Sequence, residues 1–221
     1  RAVWASAAAL VTLVTAALAL VHFSEAPPTA VVTRFSIALP EGQQFTQINR
    51  QVLAVSPDGT RFVYVANRQL YMRSMGDLEA RPVPGTNLDP ASPFFSPDSQ
   101  WIGFYADQDD TLKKIAVTGG AALTICKADH PPTVSWNADQ IVFGQGKGIM
   151  RVSANGGEPE LLAAVQPPEV ADSPQILDGG KTLLFSVSAE LGLDRWDKAQ
   201  IVAQSLESGE RKVLLRGGSS P

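Results

Sequence analysis

Residues 52–66 read VLAVSPDGTRFVYVA. Two apolar runs flank the tetrapeptide Ser56-Pro57-Asp58-Gly59. Pro57 pre-sets φ for the second position of a turn, Asp58 can accept from the backbone ahead of it, and Gly59 takes a positive φ without steric cost. The stretch therefore predicts strand, tight turn, strand. The same order returns at 92–106 (SPFFSPDSQWIGFYA), 134–144 (VSWNADQIVFG) and 173–187 (SPQILDGGKTLLFSV). The turn aspartates Asp58, Asp98, Asp139 and Asp178 lie 40, 41 and 39 residues apart, a register that chance does not readily produce. The residues assigned to these turns are Ser56, Pro57, Asp58, Gly59, Ser96, Pro97, Asp98, Asp139, Asp178 and Gly179, all in a structural role.

Each unit continues alike. A third run follows (QLYMRS, TLKKIAV, GIMRVS or AQIVAQSL), then a Gly-bearing turn, then a fourth run (EARPVP, AALTIC, EPELLAA or ERKVLLR). Short β-type runs with Gly-rich turns at a period near ~40 residues are the signature of propeller blades. The expected fold is all-β: a β-propeller of about four blades, near 51–85, 91–127, 133–165 and 172–216. Trp101, Trp136, Phe62, Phe104, Phe143 and Phe185 are expected in its core. Residues 31–39 (VVTRFSIAL) predict one further strand, placed with a linker in 25–50. In propellers an N-terminal strand often completes the last blade, so the expectation is a truncated ring.

Ahead of the repeats, residues 2–23 read AVWASAAALVTLVTAALALVHF, without a formal charge. That is long enough to cross a hydrocarbon core of ~30 Å at ~1.5 Å per residue. Trp4 and Phe23 sit near the ends, where aromatic rings favour the interface. A cleavable signal peptide is the alternative, but its apolar region normally spans ~7–15 residues before a small-x-small site. The expectation is one transmembrane helix over 1–24. Arg1 precedes the span and no Lys or Arg follows until Arg34, which places the N-terminus in the cytoplasm and the repeats outside.

Composition excludes several classes. The 221 residues carry 18 Lys and Arg against 22 Asp and Glu, a balance that opposes nucleic-acid binding. An apolar share of 44% is enough to build a core, so the chain is not disordered overall. One cysteine, Cys126, excludes an intrachain disulfide framework, and the wide spacing of the two histidines, His22 and His130, argues against a His-rich metal site. Cys126 ends a strand run and reads as a small buried hydrophobe.

The Ser-Pro-Asp-Gly repeat resembles the WD40-like repeat of TolB-type β-propellers. The combination of an Ala/Leu/Val-rich span with TRFSIALPEG (33–42), VLAVSPDGTRFVYVA, ASPFFSPDSQWIGFYAD (91–107) and LKKIAVTGGAALTIC (112–126) is similar to the region after the membrane span of bacterial transmembrane Ser/Thr protein kinases. That resemblance implies a cytoplasmic kinase domain upstream and a propeller outside the inner membrane. Two units depart from the pattern. The third has Asn137-Ala138-Asp139 and a shorter following strand; the fourth has Leu177-Asp178-Gly179 and an insertion over 189–198, readable as a binding loop with Trp196 or as a long hairpin.

No kinase His-Arg-Asp or Asp-Phe-Gly and no Gly-x-Ser-x-Gly elbow occurs. Gly144-Gln145-Gly146-Lys147-Gly148 lacks the phosphate-loop spacing and reads as a hairpin. Asp107, Asp109 and Asp110 read as a solvated acidic turn. Glu169 and Asp172 fall on a blade connection without a special role, and Lys113-Lys114 as one exposed and one edge residue. No catalytic, cofactor or metal residue is assigned. The expected function is an extracytoplasmic binding or sensing module for a protein, peptide or envelope ligand, anchored through 2–23 and serving a kinase. The alternatives are a TolB-like envelope scaffold and the gating propeller of a prolyl-oligopeptidase-like peptidase.

Overall fold

The computed structural model describes Trp4 and residues 11–15, 39–48, 50–177, 179–190, 192 and 195–218. The chain falls into two compact units, Arg1–Leu39 and Pro40–Pro221. In the first, Trp4 and residues 11–15 are helical. Among the described residues no helix is long and apolar enough to cross a membrane. The expected span over 2–23 and the expected strand over 31–39 lie mostly outside the described residues.

The second unit holds four antiparallel four-stranded sheets, each a simple meander. The first sheet is β1 (Leu53–Val55), β2 (Arg61–Ala66), β3 (Gln69–Ser74) and β4 (Arg81–Pro82). The second is β5 (Pro90–Phe95), β6 (Trp101–Ala106), β7 (Thr111–Ala116) and β8 (Leu123–Lys127). The third is β9 (Val134–Asn137), β10 (Gln140–Gln145), β11 (Gly148–Ser153) and β12 (Glu160–Ala164). The fourth is β13 (Val170–Leu177), β14 (Thr182–Ser188), β15 (Gln200–Ser205) and β16 (Arg211–Arg216). Every sheet coincides with one sequence unit.

Side chains alternate across a strand, so each sheet offers two faces. Here neighbouring sheets use both. Val63, Val65 and Leu70 of the first blade pack against Phe95, Ile102 and Phe104 of the second. The opposite face of the second blade gives Phe94, Tyr105, Leu112, Ile125 and Cys126 to Ile141 and Phe143 of the third. Val142, Ile149 and Ala163 then meet Ile176, Leu183 and Phe185 of the fourth. The first strands β1, β5, β9 and β13 contact one another in succession, so the sheets stand as blades around their inner strands. This is why the runs after each turn read as nearly continuous apolar residues: both faces are covered. Phe62, Phe104, Phe143 and Phe185 are fully buried, as expected.

Gly144 and Gly103 are among the glycines that permit close approach between or within blades. A Cβ at Gly144 would lie 2.4 Å from the Ala171 carbonyl oxygen of the next blade, and one at Gly103 would lie 2.1 Å from the Phe94 ring. The segment 40–48 caps the first blade: Phe45 bridges Ala66, and the Tyr64 hydroxyl donates to Gln43 Oε1 at 2.9 Å.

Two expectations need correction. The strand after the third turn is not shortened: β10 spans six residues, like β2 and β6. The turn itself is shortened, to the two residues Ala138 and Asp139 between paired Asn137 and Gln140. Trp101 and Trp136 are only half-buried, because they flank a cleft between the second and third blades.

Candidate binding site

The turn residues singled out in the sequence form two equivalent sites and two different ones. In the first blade the Ser56 hydroxyl donates to Asp58 Oδ1 at 2.5 Å and accepts from the Arg61 amide at 2.9 Å. Asp58 Oδ1 also accepts from the Thr60 amide at 2.9 Å, and Gly59 closes the turn at φ +69°. The Ser56 hydroxyl and then the Thr60 amide bring the Asp58 carboxyl down to about 2. The second blade repeats this: Ser96 donates to Asp98 at 2.5 Å, the Gln100 amide donates to Asp98 at 3.0 Å, and the Asp98 carboxyl is again lowered. Pro57 and Pro97 hold the following positions. In the third blade Asp139 sits in the short hairpin, where its carbonyl accepts from the Ala154 amide at 2.7 Å. In the fourth, Gly179 turns at φ +64°, while Asp178 lies outside the described residues. These turns brace strand ends, and the second and third also line one cleft between their blades.

The meander puts the β2–β3 type hairpins and the blade connections at the other end of the sheets. There Arg50 approaches Asp107 at 3.8 Å and lies over the Tyr105 ring at 5.2 Å. Asp107 also faces His130 Nε2 at 3.5 Å, and His130 Nδ1 lies 2.9 Å from Asp129. The Tyr105 hydroxyl donates to Asp110 at 2.7 Å. Burial, then that hydrogen bond, pushes the phenol up to about 12. Asp109 pairs with Lys113 at 2.9 Å. The acidic turn is thus engaged rather than merely solvated, because cations and hydroxyls from three segments reach it. Among the described residues, Arg50 Nη1, like Arg73 Nε on β3, is buried without a hydrogen-bond partner. A buried donor left in that state costs ~1–3 kcal/mol or more.

The residue after Arg50, Gln51, lines an open cavity of about 220 Å3 with Thr133, Val134, Ser135, Ser173 and Gln175, from the inner strands and the residues just ahead of them. Ser92 and Ser173 occupy equivalent repeat positions, and each ties its blade to the one before it. The Ser92 amide donates to Gln51 O at 3.1 Å, and the Ser173 amide donates to Thr133 Oγ1 at 2.9 Å. Ser92-Pro93 and Ser173-Pro174 form bulges, which place a proline where no ladder donor is needed. Asp172 is not an idle connector residue. It lies in β13, is 6% exposed, and accepts from the Thr133 hydroxyl at 2.6 Å. Burial raises its carboxyl pKa, and the Thr133 and Ser173 donors only partly oppose that.

Lys113 and Lys114 also differ from expectation. Lys113 is buried, with Asp109 and Thr124 as partners. Lys114 is half-buried, with its ammonium 5.0 Å from the Trp101 ring centre and 5.8 Å from that of Trp136. On a central strand both faces point into neighbouring blades, so a lysine there runs its stem through apolar space. The signal was in the repeat: Lys114 stands where the first unit has Met72. Gly144–Gly148 is the expected hairpin, with Gln145 paired to Gly148. Cys126 is buried, and that burial pushes its thiol up to about 12. Among the described residues no group of three or more His, Cys, Asp or Glu is placed to hold a metal ion.

No model of a known protein family matches the chain. No curated protein matches it either. Solved structures do. The hydrazine synthase of Kuenenia stuttgartiensis superposes with a TM-score of 0.57 at 14% identity, over 83% of this chain and 54% of that one. TolB from Acinetobacter baumannii gives 0.54 at 14% identity, over 75% of this chain and 43% of that one. A chain of a nidogen–laminin complex gives 0.55 at 14% identity, over 73% and 62%. The chain therefore spans about half the length of these neighbours. At such identities the likeness shows the fold, that of TolB and other β-propellers.

Proposed function

We propose that the propeller is a protein-interaction module that holds a polypeptide partner at the loop end of its inner strands. The observation that carries this reading is Arg50. Its guanidinium is mostly buried and, among the described residues, has a nitrogen without a hydrogen-bond partner, and the next residue in the chain, Gln51, lines the cavity at the inner strands. A carboxylate or carbonyl of an incoming chain would satisfy that donor with a charge-assisted bond. Exposed Gln108 lies on the same loop end, and exposed Lys181 lies on the turn end. A photo-cross-linking residue at position 108 of the full chain in cells is expected to capture a polypeptide, and Arg50→Ala to abolish the capture. Equal capture from position 181, or capture indifferent to Arg50→Ala, sinks the reading.

The finer proposal makes this module the extracytoplasmic sensor of a single-pass inner-membrane Ser/Thr kinase. Its support is the uncharged run 2–23 behind Arg1 and the resemblance of the repeats to that kinase region. The open reading frame around the chain tests it. A kinase domain ahead of Arg1 retains it. A hydrolase behind Pro221, or neither domain, leaves a peptidase propeller or a TolB-like scaffold. External protease should cut beyond Phe23 once the outer envelope is permeabilised; protection there would reverse the topology.

A further inference from the structure

The three wedges between blades, at the turn end, are built from equivalent positions but closed differently. Between the first and second blades, Met72 packs into the shared core beside Phe95. The Ser99 hydroxyl accepts from the Asp58 amide at 3.2 Å, and Arg61 donates to the Ser99 carbonyl at 3.3 Å. That wedge is filled by the protein itself. Between the second and third blades the register puts Lys114 at the place of Met72, Trp101 at that of Arg61 and Trp136 at that of Phe95. This wedge is open: a cleft of about 270 Å3 is lined by Asp98, Trp101, Lys114, Trp136, Asp139 and Asn155.

Lys114 spends one of its three ammonium protons on the Ala154 carbonyl of the third blade, at 2.7 Å. Among the described residues no carboxylate forms an ion pair with it, whereas Lys113 has Asp109 and Arg151, the corresponding residue of the third blade, has Glu160. The cleft thus combines a cation without an ion pair among the described residues, two indole rings beside it and a rim of two exposed carboxylates, Asp98 and Asp139. A ligand that fits must bring one anionic group inward, a flat or apolar group for the indoles, and N–H donors for the rim. A strongly anionic ligand would meet the two aspartates and be repelled.

We infer that the cleft between the second and third blades binds a polypeptide segment carrying a single carboxylate beside an aromatic side chain. The carboxylate pairs with Lys114, the ring stacks on Trp101 and Trp136, and backbone N–H groups donate to Asp98 and Asp139. This is a second site, at the opposite end of the blades from Arg50, and it stands or falls apart from the loop-end reading.

The test follows the indole N–H resonances of the full chain while acetyl-Phe-Glu-amide is added. Saturable shifts of the Trp101 and Trp136 signals are expected. Acetyl-Phe-Gln-amide should bind at least ~10-fold more weakly, the loss of a charge-assisted bond. Lys114→Met should abolish the shifts and leave a single cooperative thermal transition although the bond to the Ala154 carbonyl is lost, since Met72 fills the same place in the first wedge. It should also leave cross-linking from position 108 intact, which separates this site from the loop end. Absence of any shift, equal binding of the Gln peptide to the unaltered chain, or tighter binding of phenyl phosphate than of the Glu peptide would each overturn the inference. The peptide pair needs no variant, so a misfolded Lys114→Met would not protect it.

Discussion

The second and fourth blades carry the same outer strand, and only one of them is covered. In the second, Leu112 pairs with Cys126 and Ile125 sits in the bulge beside it; Ile125 and Cys126 are 4% and 5% exposed. In the fourth, Ile201 pairs with Leu215 and Leu214 takes the bulge; both leucines are 53% exposed. The third blade obeys the pattern of the second, with Leu162 and Ala163 turned into the fourth. The bulge, register and apolar pair belong to the repeat. Burial belongs to the neighbour, and among the described residues no sheet covers this face of the fourth blade. An outer strand of a blade is thus a half-interface until something packs on it.

Truncating the two bulge residues gives the largest expected contrast. Ile125→Ala should cost about 2–5 kcal/mol in urea unfolding, as a buried large-to-small change. Leu214→Ala should stay within about 0.5 kcal/mol, as a surface change. Equal losses would mean that the fourth blade is covered in solution. In that event sedimentation should show self-association that Leu214→Lys disperses, since a charge on an exposed apolar strand blocks sheet-to-sheet contact.

A subtler difference separates the carboxylates of the two blades. Asp172 of the fourth is buried with a raised pKa, so the folded chain binds its proton more tightly than the unfolded chain. The stability this gives is present below the ordinary value of 3.8 and lost as pH rises through the raised value. Asp172→Asn should flatten that fall in a pH series of melting temperatures. The turn aspartate Asp98 of the second blade is lowered, so its contribution has the opposite sign. It is complete above 3.8 and lost as pH falls through the lowered value. Asp58 behaves alike down to about 2. The smallest effects are at the turns themselves. Ser96→Ala should cost about 0.5–1.5 kcal/mol for its buried hydrogen bonds, and Asp139→Ala no more than about 0.5 kcal/mol. A matching loss at Asp139 would restore the equivalence of the turns that the hairpin geometry denies.

The blades were legible because a repeat states itself several times. Ser56–Gly59 and Ser96–Ser99 named the turn chemistry, and the apolar runs around them marked strands covered on both faces. What escaped was set by neighbours rather than by local pattern. Nothing near Asp172 announces that Thr133, some forty residues earlier in the chain, will donate to it across a blade boundary. Lys113 and Lys114 look like surface residues until β7 is recognised as a central strand. Arg50 acquires meaning only when Asp107, Tyr105 and His130 are brought around it. Asp139 lies in the turn where its spacing put it, but the loss of Ser and Pro had already changed the hairpin around it.

Cys126 gives the second and third blades a built-in clock. It is the sole thiol of the chain, sealed between those blades and held protonated by its burial. An alkylating reagent needs the thiolate in contact with solvent, so it can act only in moments when the two sheets part. The labelling rate of the unaltered protein therefore counts those partings directly. A peptide that clamps the wedge from outside would slow that count without touching the sulfur.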